Sequence, residues 1–177
     1  DDMLRDLFAQ WLQEKGIEYD AYGCHLYTKD KPMIDFKIDL TMKYYRDMMS
    51  HLRELGVKIP ITGTNWLMAD GMVEACREMD FTDHHKYVYD WHWGEYEKVT
   101  FNHALTGSDS CLGDMAKVKI HGKPVFFSEW DVPWPNAYRA ESVPHFAAVA
   151  CLQNWAGLTV HTYSYGTHLD KVDRIGK

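Results

Sequence analysis

Short apolar runs alternate with amphipathic segments along this chain, and this alternation limits the fold more than any other feature of the sequence. The clearest apolar run, Pro124–Ser128, has the continuous hydrophobic character of a strand that is buried on both faces. Further strands are predicted over residues 57–66, 81–85 and 158–163. Helices are predicted over residues 2–16, 40–55, 70–78, 109–119 and 139–155. A repeated helix–strand order is typical of a parallel α/β sheet.

The predicted strands run into polar or aromatic residues at their C-terminal ends. In (β/α)8 TIM barrels this is where catalytic side chains gather, because the loops after the strands meet at one face. The 177 residues hold four helix–strand units, whereas a full barrel takes about 250 residues. We therefore predict an α/β fold in which residues 1–177 form a single domain, half of a (β/α)8 TIM barrel.

Composition narrows the classes of partner. The formal net charge is −7, so neither nucleic acid nor an anionic membrane surface is an expected partner. No apolar run reaches the roughly 18 residues of a transmembrane helix. The seven Trp and eleven Tyr are numerous enough to line a sugar-binding cleft, although core packing accounts for them equally well from composition alone.

Glu129 is the most informative residue, because it directly follows the apolar run that ends at Ser128. A carboxylate at the end of a buried strand is unfavourable unless it is solvated, paired or used in chemistry. Hydrolysis of a glycosidic bond passes through an oxocarbenium-like transition state, and a carboxylate beneath the anomeric carbon stabilises it by attacking that carbon. The adjacent Trp130 could supply an apolar wall. The alternative is that Glu129 caps the next element or pairs with a Lys or Arg.

Two further pairs of residues end predicted strands. His85 and Tyr87 are two residues apart on an extended chain, so their side chains face the same side. There they could bind a sugar hydroxyl or hold a carboxylate in its charged form. Asn65 and Trp66 end the first strand, where an amide could orient a hydroxyl and an indole could stack on a sugar ring. A turn Asn and a packed Trp fit the sequence equally well.

A metal site is a weaker possibility. The candidate ligands would be His84, His85, His92 and His103, but they have no HExxH-type pattern and no matching acid. The four cysteines are far apart in sequence, with no CxxC pair. The sequence also lacks a GxSxG elbow, a Gly-rich phosphate loop and a GxGxxG motif. We therefore expect neither a metal nor an organic cofactor.

Together, these segments resemble the second half of a clan A glycoside hydrolase, one of the (β/α)8 barrels that include cellulases, β-mannanases and related retaining β-glycosidases. Ile59–Trp66 is similar to the fifth barrel strand of that clan, and Asp83–Tyr87 to the sixth, with its His-x-Tyr. Gly122–Trp130 resembles the seventh and Leu158–Tyr165 the eighth. The Ser-Glu-Trp segment is the most specific match. The resemblance implies that the chain holds about strands 5–8 of a barrel.

The resemblance also implies roles for single residues. Glu129 takes the place of the nucleophile, and His85 and Tyr87 take the strand-six positions that line the cleft and orient that carboxylate. Asn65 would lie near the same cleft. Two departures matter: Tyr163 stands near the place where the clan often has a Trp platform, and no Asn-Glu pair, which carries the clan's acid/base, occurs in the sequence. We therefore expect the acid/base Glu and strands 1–4 to lie outside this chain.

The implied activity is retaining hydrolysis of a β-linked polysaccharide or oligosaccharide, of the β-glucan or β-mannan class, by double displacement. A secreted or periplasmic location is favoured by the resemblance. The alternative is a catalytically inactive half-barrel or carbohydrate-binding fragment that holds sugar on its aromatic residues. The expected protein partner is the missing N-terminal half of the barrel, or a second copy that pairs through exposed strand edges.

Overall fold

The structure is a computed structural model that describes residues 2–67, 69, 71–88, 90–91, 98–99, 111–132 and 136–162. The helices are α1 (Asp2–Lys15), α2 (Lys31–Glu54), α3 (Met72–Ala75), α4 (Cys111–Lys117) and α5 (Ser142–Gln153), with a 3-10 turn at Arg139–Glu141. The strands are β1 (Thr82–Tyr87), β2 (Asp90–Trp91), β3 (Lys98–Val99), β4 (Val125–Asp131) and β5 (Gly157–Val160). Within the described ranges, none of the helices has both the length and the apolar character that a membrane crossing requires.

Three strands form a parallel sheet in the order β1–β4–β5, and β2 and β3 form a separate antiparallel pair. Parallel neighbours need a crossover, and helices α4 and α5 precede β4 and β5 along the chain. Since all three strands run the same way, their carboxyl ends lie along one edge of the sheet. Any side chains that follow these strands therefore meet at that edge.

The prediction of half a (β/α)8 TIM barrel, with strands 5–8, is wrong: the parallel sheet of the described residues has three strands. Residues 57–66, predicted as a strand, lie beside β1 without joining the sheet. The backbone amides of Asp80 and His85 donate to the carbonyls of Ile61 and Asn65, at 3.0 and 3.3 Å. The amide of Ile61, however, donates to the Asp80 carboxylate at 2.8 Å. The Asp80 side chain thus occupies the Ile61 amide, which a strand in this place would use for a hydrogen bond to the backbone of its neighbour.

Helix α2 begins nine residues before the predicted helix over residues 40–55, because Pro32 lies in its first turn and does not interrupt it. The helix begins at Lys31, and a proline in the first turn loses no intrahelical hydrogen bond. The sequence repeats Leu40, Tyr44 and Met48 at four-residue spacing, which predicts that they form the buried stripe of this helix; the prediction is wrong, since all three are exposed. α2 packs on α1 and α3, and this contact selects another face. The side chains that α2 buries are Met33, Phe36 and Met42.

The buried side chains form two clusters. The smaller one lies between α1, the loop after it and the start of α2, and is centred on Phe8, Leu12 and Phe36. The larger one surrounds the parallel sheet, where Phe127 of β4 and Phe146 of α5 are fully buried. Each fully buried aromatic side chain of this kind contributes about 2–3 kcal/mol of hydrophobic stabilisation. This second cluster fixes β4, and therefore Glu129, against α5.

Candidate active site at the carboxyl end of the sheet

Strand β1 presents a row of polar side chains to one side of the sheet. Asp83, His85 and Tyr87 alternate along the strand and therefore point the same way. His84 lies between them on the other side and is only 1% exposed. The prediction that His85 and Tyr87 share a face is confirmed by their common contact with Glu129, described below.

Strand β4 has an irregularity that brings two consecutive side chains toward this row. Asp83 pairs with Phe126 and His85 with Glu129, so two steps along β1 match three along β4. The same offset appears against β5, between Phe127 and Trp130. This is the signature of a β-bulge, which aims an extra side chain and sharpens the local twist. Because of the bulge, Ser128 and Glu129 both reach the polar row of β1.

The carboxylate of Glu129 is held through one of its oxygens. The Tyr87 hydroxyl donates to Oε2, and Nδ1 of His85 lies 3.2 Å from the same oxygen. Nδ1 of His161, just after β5, lies 3.9 Å from Oε2 and 3.1 Å from the Tyr87 oxygen. The Glu129 side chain is 31% exposed, so solvent and a ligand can reach it. Contacts from β1 and from the end of β5 thus fix one carboxylate at the sheet edge.

A second set of contacts extends from the other nitrogen of His85. Nε2 lies 2.9 Å from the Ser128 hydroxyl and 3.0 Å from the side-chain amide of Asn65. Ser128 in turn donates its hydroxyl to Oδ2 of Asp83 at 2.6 Å and its backbone amide to Oδ1 at 2.9 Å. Asp83 is 8% exposed. A continuous chain of contacts therefore links a buried carboxylate to the accessible one at Glu129.

The segment that contains Asn65 and Trp66 lies against the same edge. The backbone carbonyl of Asn65 accepts from the amide of His85 at 3.3 Å, so the segment is tied to β1 at the site. His84 contacts the backbone of this segment: its Nδ1 lies 3.1 Å from the Asn65 carbonyl oxygen and 3.3 Å from the Leu67 amide nitrogen. Burial lowers the pKa of His84, which favours its neutral form. Trp66 is 63% exposed and presents an uncovered indole next to Asn65.

One of the predicted substrate-binding residues, Trp130, is not brought to this group. Trp130 is 3% exposed and stacks on Phe146, with ring centroids 4.2 Å apart, so its side chain lies in the core beneath the sheet. This follows from strand alternation after the bulge, because Trp130 follows Glu129 on β4 and points the other way. Tyr163 lies outside the described residues, as do His92 and His103 of the metal hypothesis.

No three His, Cys, Asp or Glu side chains in the described part of the chain are grouped so as to hold a metal ion.

The structure adds three residues to the predicted group: Asp83, Ser128 and His161. Asp83 could have been found from the sequence, since it stands two residues before His85 and shares its face. Ser128 depends on the bulge and His161 on the pairing of β4 with β5, and neither leaves a local signal.

A second carboxyl group lies at the same edge. Asp131 ends β4 two residues after Glu129, and it pairs in register with Tyr87. Burial raises the pKa of Asp131, and the backbone amide of Val132 and the neighbouring side chains of His161 and Arg139 partly oppose this rise. The edge thus combines a carboxylate with strong donors and a carboxyl group that is costly to ionise.

Comparisons of this chain with protein-family models, with curated proteins and with solved structures found no match. The functional argument therefore depends on the geometry of the site and on the residues that form it.

Proposed function

We propose that this chain carries the nucleophile of a retaining β-glycoside hydrolase, and that the nucleophile is Glu129. The substrate class is a β-linked polysaccharide or oligosaccharide of the β-glucan or β-mannan type. One observation supports this above all: Tyr87 and His85 both contact a single oxygen of a partly exposed carboxylate. A nucleophile needs one carboxylate oxygen fixed and the other directed at the reacting carbon, and the contacts of Tyr87 and His85 with Oε2 satisfy the first requirement.

In the first step of the proposed reaction, Glu129 attacks the anomeric carbon and forms a glycosyl ester. The bond from that carbon to the leaving oxygen breaks, and an acid/base Glu from outside this chain gives the oxygen its proton. In the second step the same Glu takes a proton from water, which attacks the anomeric carbon and releases the Glu129 carboxylate. The Tyr87 hydroxyl keeps its hydrogen bond to Oε2 in both steps and holds the carboxylate in one orientation.

The surroundings of Asn65 and Trp66 support a sugar as the substrate. The Trp66 indole is 63% exposed, which is a high value for so large an apolar surface. Its aromatic face can cover the apolar face of a pyranose ring, while the Asn65 amide beside it can bind a hydroxyl group. This is the usual composition of a small-molecule site, an apolar wall with a few polar groups that fix orientation.

A serine hydrolase is an alternative that the contacts suggest at first sight. Ser128, His85 and Glu129 are connected in the order of a Ser–His–acid triad, at 2.9 and 3.2 Å. The Ser128 hydroxyl has one proton, however, and donates it to Asp83 at 2.6 Å. His85 must then donate to Ser128 and cannot act as its base, so Ser128 is not activated as a nucleophile.

A carbohydrate-binding role without hydrolysis is the second candidate, and the exposure of Trp66 favours it. Binding through this indole would need neither Glu129 nor an acid/base. Calorimetric titration with a β-glucan or β-mannan oligosaccharide, on the wild type and on Trp66→Ala, measures it directly. Binding that depends on Trp66 in a protein that hydrolyses no glycoside would favour this second role.

The proposed activity can be tested on the 177-residue protein itself. A 2,4-dinitrophenolate group leaves without being protonated, so 2,4-dinitrophenyl β-glucoside and β-mannoside do not require the acid/base Glu for the first step. We expect Glu129→Gln to lower the rate of dinitrophenolate release in the first turnover by at least about 10³-fold, as removal of a nucleophile does. Glu54→Gln makes the same chemical change at an exposed position of α2 and should leave that first-turnover rate unchanged. Activity of Glu129→Gln within a few-fold of the wild type would exclude Glu129 as the nucleophile.

A further inference from the structure

We infer that Asp83 is a positioning residue that acts through Ser128 to keep Nε2 of His85 protonated, so that His85 faces Glu129 as an imidazolium with two N–H groups. The catalytic meaning of this inference rests on the proposed function, because it concerns the charge beside the proposed nucleophile. The geometry behind it, and the measurement that tests it, are independent of catalysis.

The argument begins with the protons at Ser128. The hydroxyl lies 2.6 Å from Oδ2 of Asp83 and 2.9 Å from Nε2 of His85, and it has one proton for these two neighbours. An ionised carboxylate accepts hydrogen bonds and cannot donate them. The hydroxyl proton therefore points to Asp83, and its oxygen accepts from His85. Nε2 of His85 must carry the proton of that hydrogen bond.

A second hydrogen bond from Ser128 fixes the orientation of the Asp83 carboxylate toward this hydroxyl. The backbone amide of Ser128 donates to Oδ1 of Asp83 at 2.9 Å, so both carboxylate oxygens are engaged by one residue. Asp83 is 8% exposed, and a buried carboxylate is retained only where it is hydrogen-bonded and balanced by positive charge. Nε2 also lies 3.0 Å from the Asn65 amide, and with Nε2 protonated it is the amide oxygen of Asn65 that accepts.

The protons on the other side of His85 follow from Tyr87. The Tyr87 hydroxyl donates to Oε2 of Glu129, so Nδ1 of His161, 3.1 Å from the hydroxyl oxygen, is the donor in that contact. Oε2 thus belongs to a carboxylate that accepts. Nδ1 of His85, 3.2 Å from Oε2, needs a proton as well, because two lone pairs at this distance repel. His85 then carries both ring protons between Asp83 and Glu129.

Asp83→Asn should release one of these protons. The Ser128 backbone amide is a fixed donor and will select the amide oxygen of the new side chain, so the new NH₂ group faces the Ser128 hydroxyl and donates to it. The hydroxyl proton then turns to His85, whose Nε2 becomes an acceptor. Nδ1 keeps its proton toward Glu129, and the ring becomes neutral. The variant conserves the shape of the side chain, removes the negative charge of Asp83 and takes the proton from Nε2 of His85.

The measurement is long-range ¹H–¹⁵N correlation of the histidine ring nitrogens near neutral pH, with His85→Gln used to assign the signals. We expect both ring nitrogens of His85 to be protonated in the wild type, and only Nδ1 in Asp83→Asn. Asp80→Asn is the matched control, because it removes a hydrogen-bonded carboxylate just before β1 and should leave the His85 signals unchanged. An unprotonated Nε2 in the wild type overturns the inference, even if Asp83→Asn does not fold. Unchanged His85 signals in a folded Asp83→Asn overturn it as well.

The outcome separates this inference from the proposed function. A doubly protonated His85 in a protein that fails to hydrolyse 2,4-dinitrophenyl glycosides would support the role of Asp83 and reject the glycosidase proposal. Loss of activity in Glu129→Gln together with a singly protonated His85 would support the glycosidase proposal and reject the role of Asp83.

Discussion

The contact between Tyr87 and Glu129 supports a quantitative prediction, because it can be changed from either side without changing the shape of the two side chains. Tyr87→Phe deletes the hydroxyl, which donates to Glu129 and also lies 3.1 Å from Nδ1 of His161, and Glu129→Gln makes the acceptor neutral. A hydrogen bond to a charged group contributes about 1.5–3 kcal/mol in folded proteins. The Glu129 side chain is 31% exposed, and partial solvation places the contribution of this bond around the lower end of that range or just below it. We expect a coupling energy of about 1–2 kcal/mol.

Urea unfolding of the wild type, both single variants and the double variant measures this coupling as a double-mutant cycle. With a slope of about 2 kcal/mol per molar urea, Tyr87→Phe alone should lower the midpoint by about 0.5–1 M. Tyr138→Phe is the control partner for Glu129→Gln, since Tyr138 is 40% exposed and lies after β4 in the turn that leads to α5. The control cycle should be additive within about 0.5 kcal/mol. Equal additivity in the Tyr87 cycle would refute the account of how Glu129 is held.

Three other predictions concern stability. Phe127→Ala should lower the free energy of unfolding by about 3–5 kcal/mol, since Phe127 is fully buried, whereas Val143→Ala at a 60% exposed position should change it by less than about 0.5 kcal/mol. Burial lowers the pKa of His84 from 6.5, so below that pH the unfolded chain binds a proton that the folded chain does not. The free energy of unfolding should therefore fall as the pH drops below about 6.5, and His84→Gln should reduce this fall in urea titrations. Burial raises the pKa of Asp131, which makes its ionised form unfavourable in the folded state; Asp131→Asn should therefore raise the melting temperature near neutral pH, and an equal or lower value would contradict this reading.

Strand alternation and position after an apolar run are local properties, and they place His85 and Tyr87 on one face and Glu129 near the end of a strand. The structure agrees with these positions, whereas the roles of the three residues stay predictions. The same alternation argues against Trp130 as a cleft wall, because the residue that follows Glu129 on a regular strand faces the opposite side, and the structure buries Trp130 against Phe146. The role of Trp130 as a substrate contact is therefore not part of the proposed site.

Features that depend on pairing between distant segments could not be predicted from the sequence. The bulge of β4 is defined only by its register with β1 and β5, and it is what brings Ser128 to His85. Residues 57–66 have strand-like composition, yet the Asp80 carboxylate takes the Ile61 amide, and a side chain remote in sequence cannot be anticipated there. The face that α2 buries likewise depends on α1 and α3, and not on the periodicity of its own apolar residues.

The most direct test of the account is to trap the glycosyl ester on Glu129. A 2-deoxy-2-fluoro-β-glucosyl or β-mannosyl fluoride reacts without a general acid, because fluoride leaves unprotonated, and the fluorine at C2 slows hydrolysis of the ester by destabilising the oxocarbenium-like transition state. Mass spectrometry of the intact chain and of its peptides should find one glycosyl group per chain, on Glu129, and none on Glu129→Gln. A chain that stays unlabelled with both sugars, or a label on another residue, would contradict the assignment of Glu129 as the nucleophile.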